Sequence, residues 1–134
     1  MHAKSSGCTF GQYGNVTVYA ATSTNSKTPM YMLGTSKILI PVGTMYHFRL
    51  LGSGIDTTTG NTYIIGAHGM IKNVAGTTTL IVNGTDYSNN DLGGGSITVE
   101  ANDSTDSLDV FANGKTTTNI RWTAFVEWVE IIIT

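Results

Sequence analysis

Charge is what this chain has least of. Lys, Arg, Asp and Glu make up 12% of its 134 residues, about half the share of an ordinary soluble domain. The 7 Lys and Arg are scattered and the formal net charge is −2. No basic stretch interleaves with aromatics, which argues against a nucleic-acid partner. Cysteine is limited to Cys8, so no intrachain disulfide can form, and no catalytic partners stand beside that residue. A single Cys suits assembly in a reducing cytoplasm. No apolar run approaches the roughly 18 residues of a membrane-spanning helix. Met1–Gly7 has no apolar stretch of the secretory kind. No segment carries a 3.6-residue apolar period, so helices are not expected.

In place of charge the chain has Thr, Ser, Asn and 16 Gly, in a body that is 40% hydrophobic. Thr fits a pleated, half-buried surface, while Gly and Asn suit tight turns. A low-charge, Thr-rich surface is common where neighbouring subunits cover it. The length suits one domain with a real core.

Nine runs read as strands: Asn15–Ala21, Pro29–Leu33, Lys37–Ile40, Met45–Leu51, Thr62–Lys72, Thr77–Val82, Ser96–Ala101, Ser107–Asn113 and Asn119–Ile133. Several alternate clearly. In Met45–Leu51, Tyr46, Phe48 and Leu50 share one face, and Met45, His47 and Arg49 the other. Gly66 and Gly69, inside the fifth run, are expected at a bulge or under a close backbone approach. Thr22–Thr28, Gly52–Asn61 and Asn83–Gly95 read as loops. Asn73–Gly76, Asn102–Asp106 and Gly114–Thr118 read as turns. Strand signals every eight to twelve residues or so are the rhythm of a sandwich or barrel. The expected fold is all-β: a single antiparallel β-sandwich, jelly-roll-like, of about eight or nine strands over residues 14–134. Residues 1–13 form an N-terminal arm ahead of it, with Phe10 and Tyr13 as anchors onto a neighbour.

The candidates for chemistry are thin. His2, His47 and His68 have no ligand spacing, and surface or interface histidines are the simpler reading. Asp103, Asp106 and Asp109 follow Asn102 at intervals of three, without the alternate spacing of a calcium loop. A polar turn accounts for them. Glu127 and Glu130 point to opposite faces of one strand, which disfavours a paired-carboxylate site. Gly93–Gly95 precedes a strand, whereas phosphate-cradling loops precede a helix. The sequence therefore points away from an enzyme, with no catalytic residue, cofactor or metal site.

The terminal run is the most informative. Ile120, Trp122, Ala124, Val126 and Trp128 make one continuous apolar face, so Trp122 is expected in the core. Phe125, Val129, Ile131 and Ile133 make the opposite face apolar too. A strand apolar on both faces is covered on both. In a two-layer sandwich one cover is the other sheet, and the second is most simply another subunit. Phe125, Val129, Ile131 and Ile133 are thus the candidate partner-binding residues, with Phe10 and Tyr13 of the arm.

Asn119–Glu130, together with Thr28–Leu33, Lys37–Pro41, Gly69–Lys72, Asn73–Leu80, Ser96–Asp106 and Leu108–Asn113 in that order, resembles a β-sandwich module of tailed-bacteriophage virion surface proteins. That module ends tail fibres or decorates particles. The resemblance implies a virion protein assembled in the host cytoplasm, usually as a homotrimer, with no catalytic residues. A Met start and a short arm suit a capsid decoration or cement protein that binds other virion subunits. As a piece of a longer chain, the module suits the receptor-binding tip of a tail fibre, with a host surface glycan as ligand.

Overall fold

The computed structural model of the chain describes residues 13–32 and 37–133. Within them the chain is an all-β sandwich of nine strands, and no helix occurs among the described residues. The strands are β1 (Tyr13–Thr22), β2 (Lys27–Met30), β3 (Ile38–Leu39), β4 (Thr44–Asp56), β5 (Thr62–Val74), β6 (Thr77–Asn90), β7 (Ser96–Asn102), β8 (Ser107–Asn113) and β9 (Ile120–Ile132). One sheet has five strands in the order β1-β9-β4-β5-β6, all antiparallel. The smaller sheet centres on β8, which pairs with β7 along one edge and with β2 and then β3 along the other. First with last and second with second-to-last is the nested pairing of a jelly roll. β4, β5 and β6 instead continue from β9 as a meander.

Alternation builds the core. In β4, Tyr46, Phe48 and Leu50 point inward, and their neighbours His47, Arg49 and Leu51 point out. In β9 the inward set is Ile120, Trp122, Ala124 and Val126, each at most 1% exposed. These meet Ile97, Val99, Leu108, Val110 and Ala112 of the smaller sheet, with Met30, Ile38 and Ile40 closing its edge. Trp122 is a core residue, as its place in the stripe predicts. Its indole N–H donates to Thr22 Oγ1 at 2.9 Å, and its ring meets Tyr63 edge-on at 5.6 Å. Trp128 stacks on Tyr46 with centroids 5.0 Å apart and closes the core towards β1.

Strand glycines make room for rings. Gly54 pairs directly with Trp122, Gly14 with Trp128, Gly69 with Phe48 and Gly66 with Tyr87. In each pair the ring lies where a Cβ on the glycine would stand. Register shifts also fall beside Gly66 and at Met70/Ile71, which fulfils the expectation of a bulge around Gly66 and Gly69.

Two expected loops are strand instead. Gly52–Asp56 belongs to β4, because Gly52 and Gly54 serve ring and side-chain packing there and not a turn. Asn83–Asn90 belongs to β6, whose polar residues are mostly exposed. Backbone pairing to β5 holds that segment, and a hydrophobic pattern cannot reveal it. Tyr13 opens β1 opposite Val129, so the strand starts earlier than expected and takes in a residue assigned to the arm. β2 starts earlier too, at Lys27, and its Pro29 is tolerated because the strand lies at a sheet edge. Phe10 and residues 1–12 lie outside the described residues.

The β5–β6 hairpin turns on Ala75 and Gly76, at φ 54° and 88°. Two successive left-handed residues are the signature of a type I′ turn. Asn73 locks it from below. Its buried amide donates to the Ile40 carbonyl at 2.8 Å and accepts from the Gly76 N–H at 3.1 Å.

Candidate functional site

The two outer faces of the sandwich differ in kind. On the smaller sheet the outward residues are mostly polar and satisfied locally. Lys27 pairs with Glu100 and lies 4.3 Å above the Phe111 ring. Lys37 Nζ donates to Asp109 Oδ2 at 3.1 Å. Burial alone would push the Asp109 carboxyl up, but hydrogen bonds from Ser107, Asn102 and Lys37 outweigh it and hold the group below its usual range. Asp103 and Asp106 tie the β7–β8 turn to β6, accepting from the Thr78 N–H and hydroxyl at 2.7 and 2.8 Å. The carboxylates of Asn102–Asp109 thus serve as hydrogen-bond acceptors of a turn.

On the five-stranded sheet the outer face is largely apolar. Register places its residues in rows across the strands. Thr17, Phe125, Leu51, Gly66 and Tyr87 make one row, and Tyr13, Val129, His47, Met70 and Val82 another. Ile131 and Met45 lie beyond the second row. Tyr19, Ile64, Ile55 and Arg121 lie beyond the first. Val129 is 54% exposed and Tyr87 51%. Leu51, Ile55, Ile64, Val82 and Ile131 are also exposed large apolar side chains.

Between the two apolar rows runs one of charges: Glu127 on β9, Arg49 on β4 and His68 on β5, with Asp86 of β6 beside them. They contact one another in pairs. Arg49 forms an ion pair with Glu127, its Nε donating at 2.8 Å. His68 Nδ1 meets Asp86 Oδ1 at 2.7 Å. The Tyr13 hydroxyl donates to Glu127 Oε1 at 2.8 Å. That hydrogen bond, with Arg49 next, holds the Glu127 carboxyl below its usual range, and the same hydrogen bond pushes the Tyr13 phenol above its own. The row is two hydrogen-bonded groups, Tyr13–Glu127–Arg49 and His68–Asp86, and apolar residues flank it on both sides.

The structure brings most of the expected partner-binding residues onto this surface. Tyr13, Phe125, Val129 and Ile131 share it, Phe125 being the least open. Ile133 follows the end of β9, where its N–H donates to the Gly43 carbonyl, and is 45% exposed. His47 and His68 also lie on this face, on paired strands, as their alternation implies. Sequence reasoning missed Leu51, Ile55, Ile64, Val82 and Tyr87. The available signal was the odd-position series Met45, Leu51 and Ile55, which the two glycines disguised as a loop.

No protein-family model matches the chain, and no curated protein matches it either. The chain is similar to the tailspike protein of Acinetobacter phage vB_ApiP_P1 in its crystal structure, at 14% identity and a TM-score of 0.47, over 90% of this chain and 22% of the tailspike. It therefore spans about a fifth of the length of that protein.

Proposed function

We propose that this chain is a non-enzymatic structural module of a bacteriophage particle, and that it binds its neighbours through the outer face of the five-stranded sheet. The contrast between the two outer faces carries the reading. One is polar and built for water. The other is largely apolar, and the charges in its middle row, Arg49 with Glu127 and His68 with Asp86, already contact one another. Burying a charge is costly unless it is paired and hydrogen-bonded, and for Arg49 and Glu127 that condition is met before any partner arrives. Val129, Tyr87, Leu51 and Ile64 are among the exposed large apolar side chains that this face offers a partner.

A further copy of the chain is the first partner, and a trimer is the number implied by the sequence resemblance. The same resemblance supports the virion as the location and capsid decoration as the role. Light scattering tests association: the chain should run as an oligomer, and Val129→Lys with Ile131→Lys should run as a monomer with an unchanged melting temperature. A monomeric parent at micromolar concentration, without particles present, would refute self-association. Cryo-electron microscopy of the intact particle separates decoration of the capsid from the second reading, a fibre tip. A polar cleft at the Arg121 end of the same sheet favours that second reading.

A further inference from the structure

Arg121 and Lys72 are the two strand-borne cations without a carboxylate partner among the described residues. Lys27, Lys37 and Arg49 each have a carboxylate. Arg121 has neither an ion-pair nor a hydrogen-bond partner among the described residues, although it lies on the outer face between Ala21 of β1 and Ile55 of β4. Ala21 is too small to cover the guanidinium. Asp56, at the neighbouring end of β4, is committed elsewhere: its carboxylate accepts from the Thr58 and Thr59 N–H groups at 2.8 and 3.3 Å.

Arg121 lines a cleft of about 310 Å³ with Ser23, Thr57 and Asn119, where the β1–β2, β4–β5 and β8–β9 connections converge. The cleft falls in the size range of small-molecule sites, roughly 300–1,000 Å³. Its polar groups are in two states. Thr22 Oγ1 is taken by Trp122, and Thr57 Oγ1 bonds the Asn119 carbonyl, so these two make a fixed wall. The Ser23 hydroxyl, the Asn119 side-chain amide and the Arg121 guanidinium have no partner among the described residues. Together they offer an anion fork beside groups that both donate and accept. Tyr19, one row along on the same face, is 48% exposed and presents an aromatic ring.

We propose that this cleft binds a carboxylate-bearing saccharide. The carboxylate takes the guanidinium in the bidentate geometry that Arg favours. The ring hydroxyls take Asn119 and Ser23, and the apolar face of a sugar rests towards Tyr19. A bare anion would use only Arg121, and a neutral sugar would leave Arg121 unmatched. The proposal stands apart from subunit association, since Arg121 lies at the opposite end of the sheet from Val129 and Ile131.

The test is a titration of the isotope-labelled full chain, followed by nuclear magnetic resonance at the Arg121 Nε–H and the Ser23, Thr57 and Asn119 amides. The ligands are a glucuronate-containing disaccharide, its neutral glucose counterpart and inorganic phosphate. Saturable shifts at all four positions are expected with the acidic disaccharide. Loss of a charge-assisted pair at such a site corresponds to about tenfold in affinity, so the neutral sugar and the Arg121→Gln variant should each bind at least that much more weakly. Arg121 is exposed, so Arg121→Gln should keep the parent's melting temperature and its mass by light scattering. The proposal is overturned if the acidic sugar gives no saturable shift, if the neutral sugar binds equally, or if Arg121→Gln retains affinity. Phosphate binding as tight as the uronate would reduce the cleft to a simple anion site and overturn the saccharide assignment.

Discussion

Gly54 and Trp122 offer a sharp test of how this core is packed. They face each other across β4 and β9, and Trp122 is 1% exposed. A Cβ on Gly54 would stand 2.7 Å from Cε3 and Cζ3 of the indole. Those atoms belong to a rigid ring pinned by its hydrogen bond to Thr22 and by Tyr63, so the ring cannot yield cheaply. Gly54→Ala should therefore destabilise by about 1–3 kcal/mol, as overpacking does. Trp122→Ala should cost about 3–5 kcal/mol from lost burial and the residual cavity. In the Trp122→Ala background the obstacle is gone. Gly54 has no left-handed backbone requirement, so Gly54→Ala should there be neutral or stabilising by about 0.5–1 kcal/mol, the usual gain for a strand interior. The difference between the two backgrounds corresponds to a coupling of about 1–4 kcal/mol. Urea unfolding of the four proteins followed by far-ultraviolet circular dichroism measures it, with Trp122→Leu replacing Trp122→Ala if too little stability remains. Equal costs of Gly54→Ala in both backgrounds would refute the reasoning.

Three further outcomes follow from the structure. Asn73→Ala strands the Ile40 carbonyl and the Gly76 N–H and should lower stability by about 2–3 kcal/mol in the same assay. Ala75→Gly relieves a left-handed alanine and should raise the thermal midpoint by a few degrees, an effect of about 0.5–1 kcal/mol. Burial, with the negative Glu130 adding to it, pushes the Tyr46 phenol up to about 12. Since the folded-state value lies above the unfolded one of about 10, the contribution is complete below pH 10 and disappears as pH rises towards 12. The urea midpoint of the parent should therefore fall between pH 9 and pH 11.5 by more than that of Tyr46→Phe, and equal falls would contradict the burial argument.

The sequence alone determined the fold class, a count of about eight or nine strands and much of the core. Period-two alternation in Met45–Leu51 and Ile120–Val126 depends only on local geometry, so the inward residues could be named from the chain. The two-sided apolar character of β9 was legible for the same reason, and so was the close approach at Gly66 and Gly69. Only tertiary structure decided the rest. The strand identity of Gly52–Asp56 and Asn83–Asn90 depends on what lies across from them: Trp122 above Gly54, and β5 along β6. Trp122 is far from Gly54 in sequence, and the β5–β6 pairing runs well past the part of the hairpin that the apolar pattern marks. The same holds for the outer face. Leu51, Ile64, Tyr87 and Val129 come from four strands, and sheet register alone joins them into one surface. Arg49 and Arg121 look alike in the sequence. One meets Glu127 from a strand 78 residues away and the other has no carboxylate partner among the described residues, because pairing across a sheet is set by the order of its strands and not by the order of the chain.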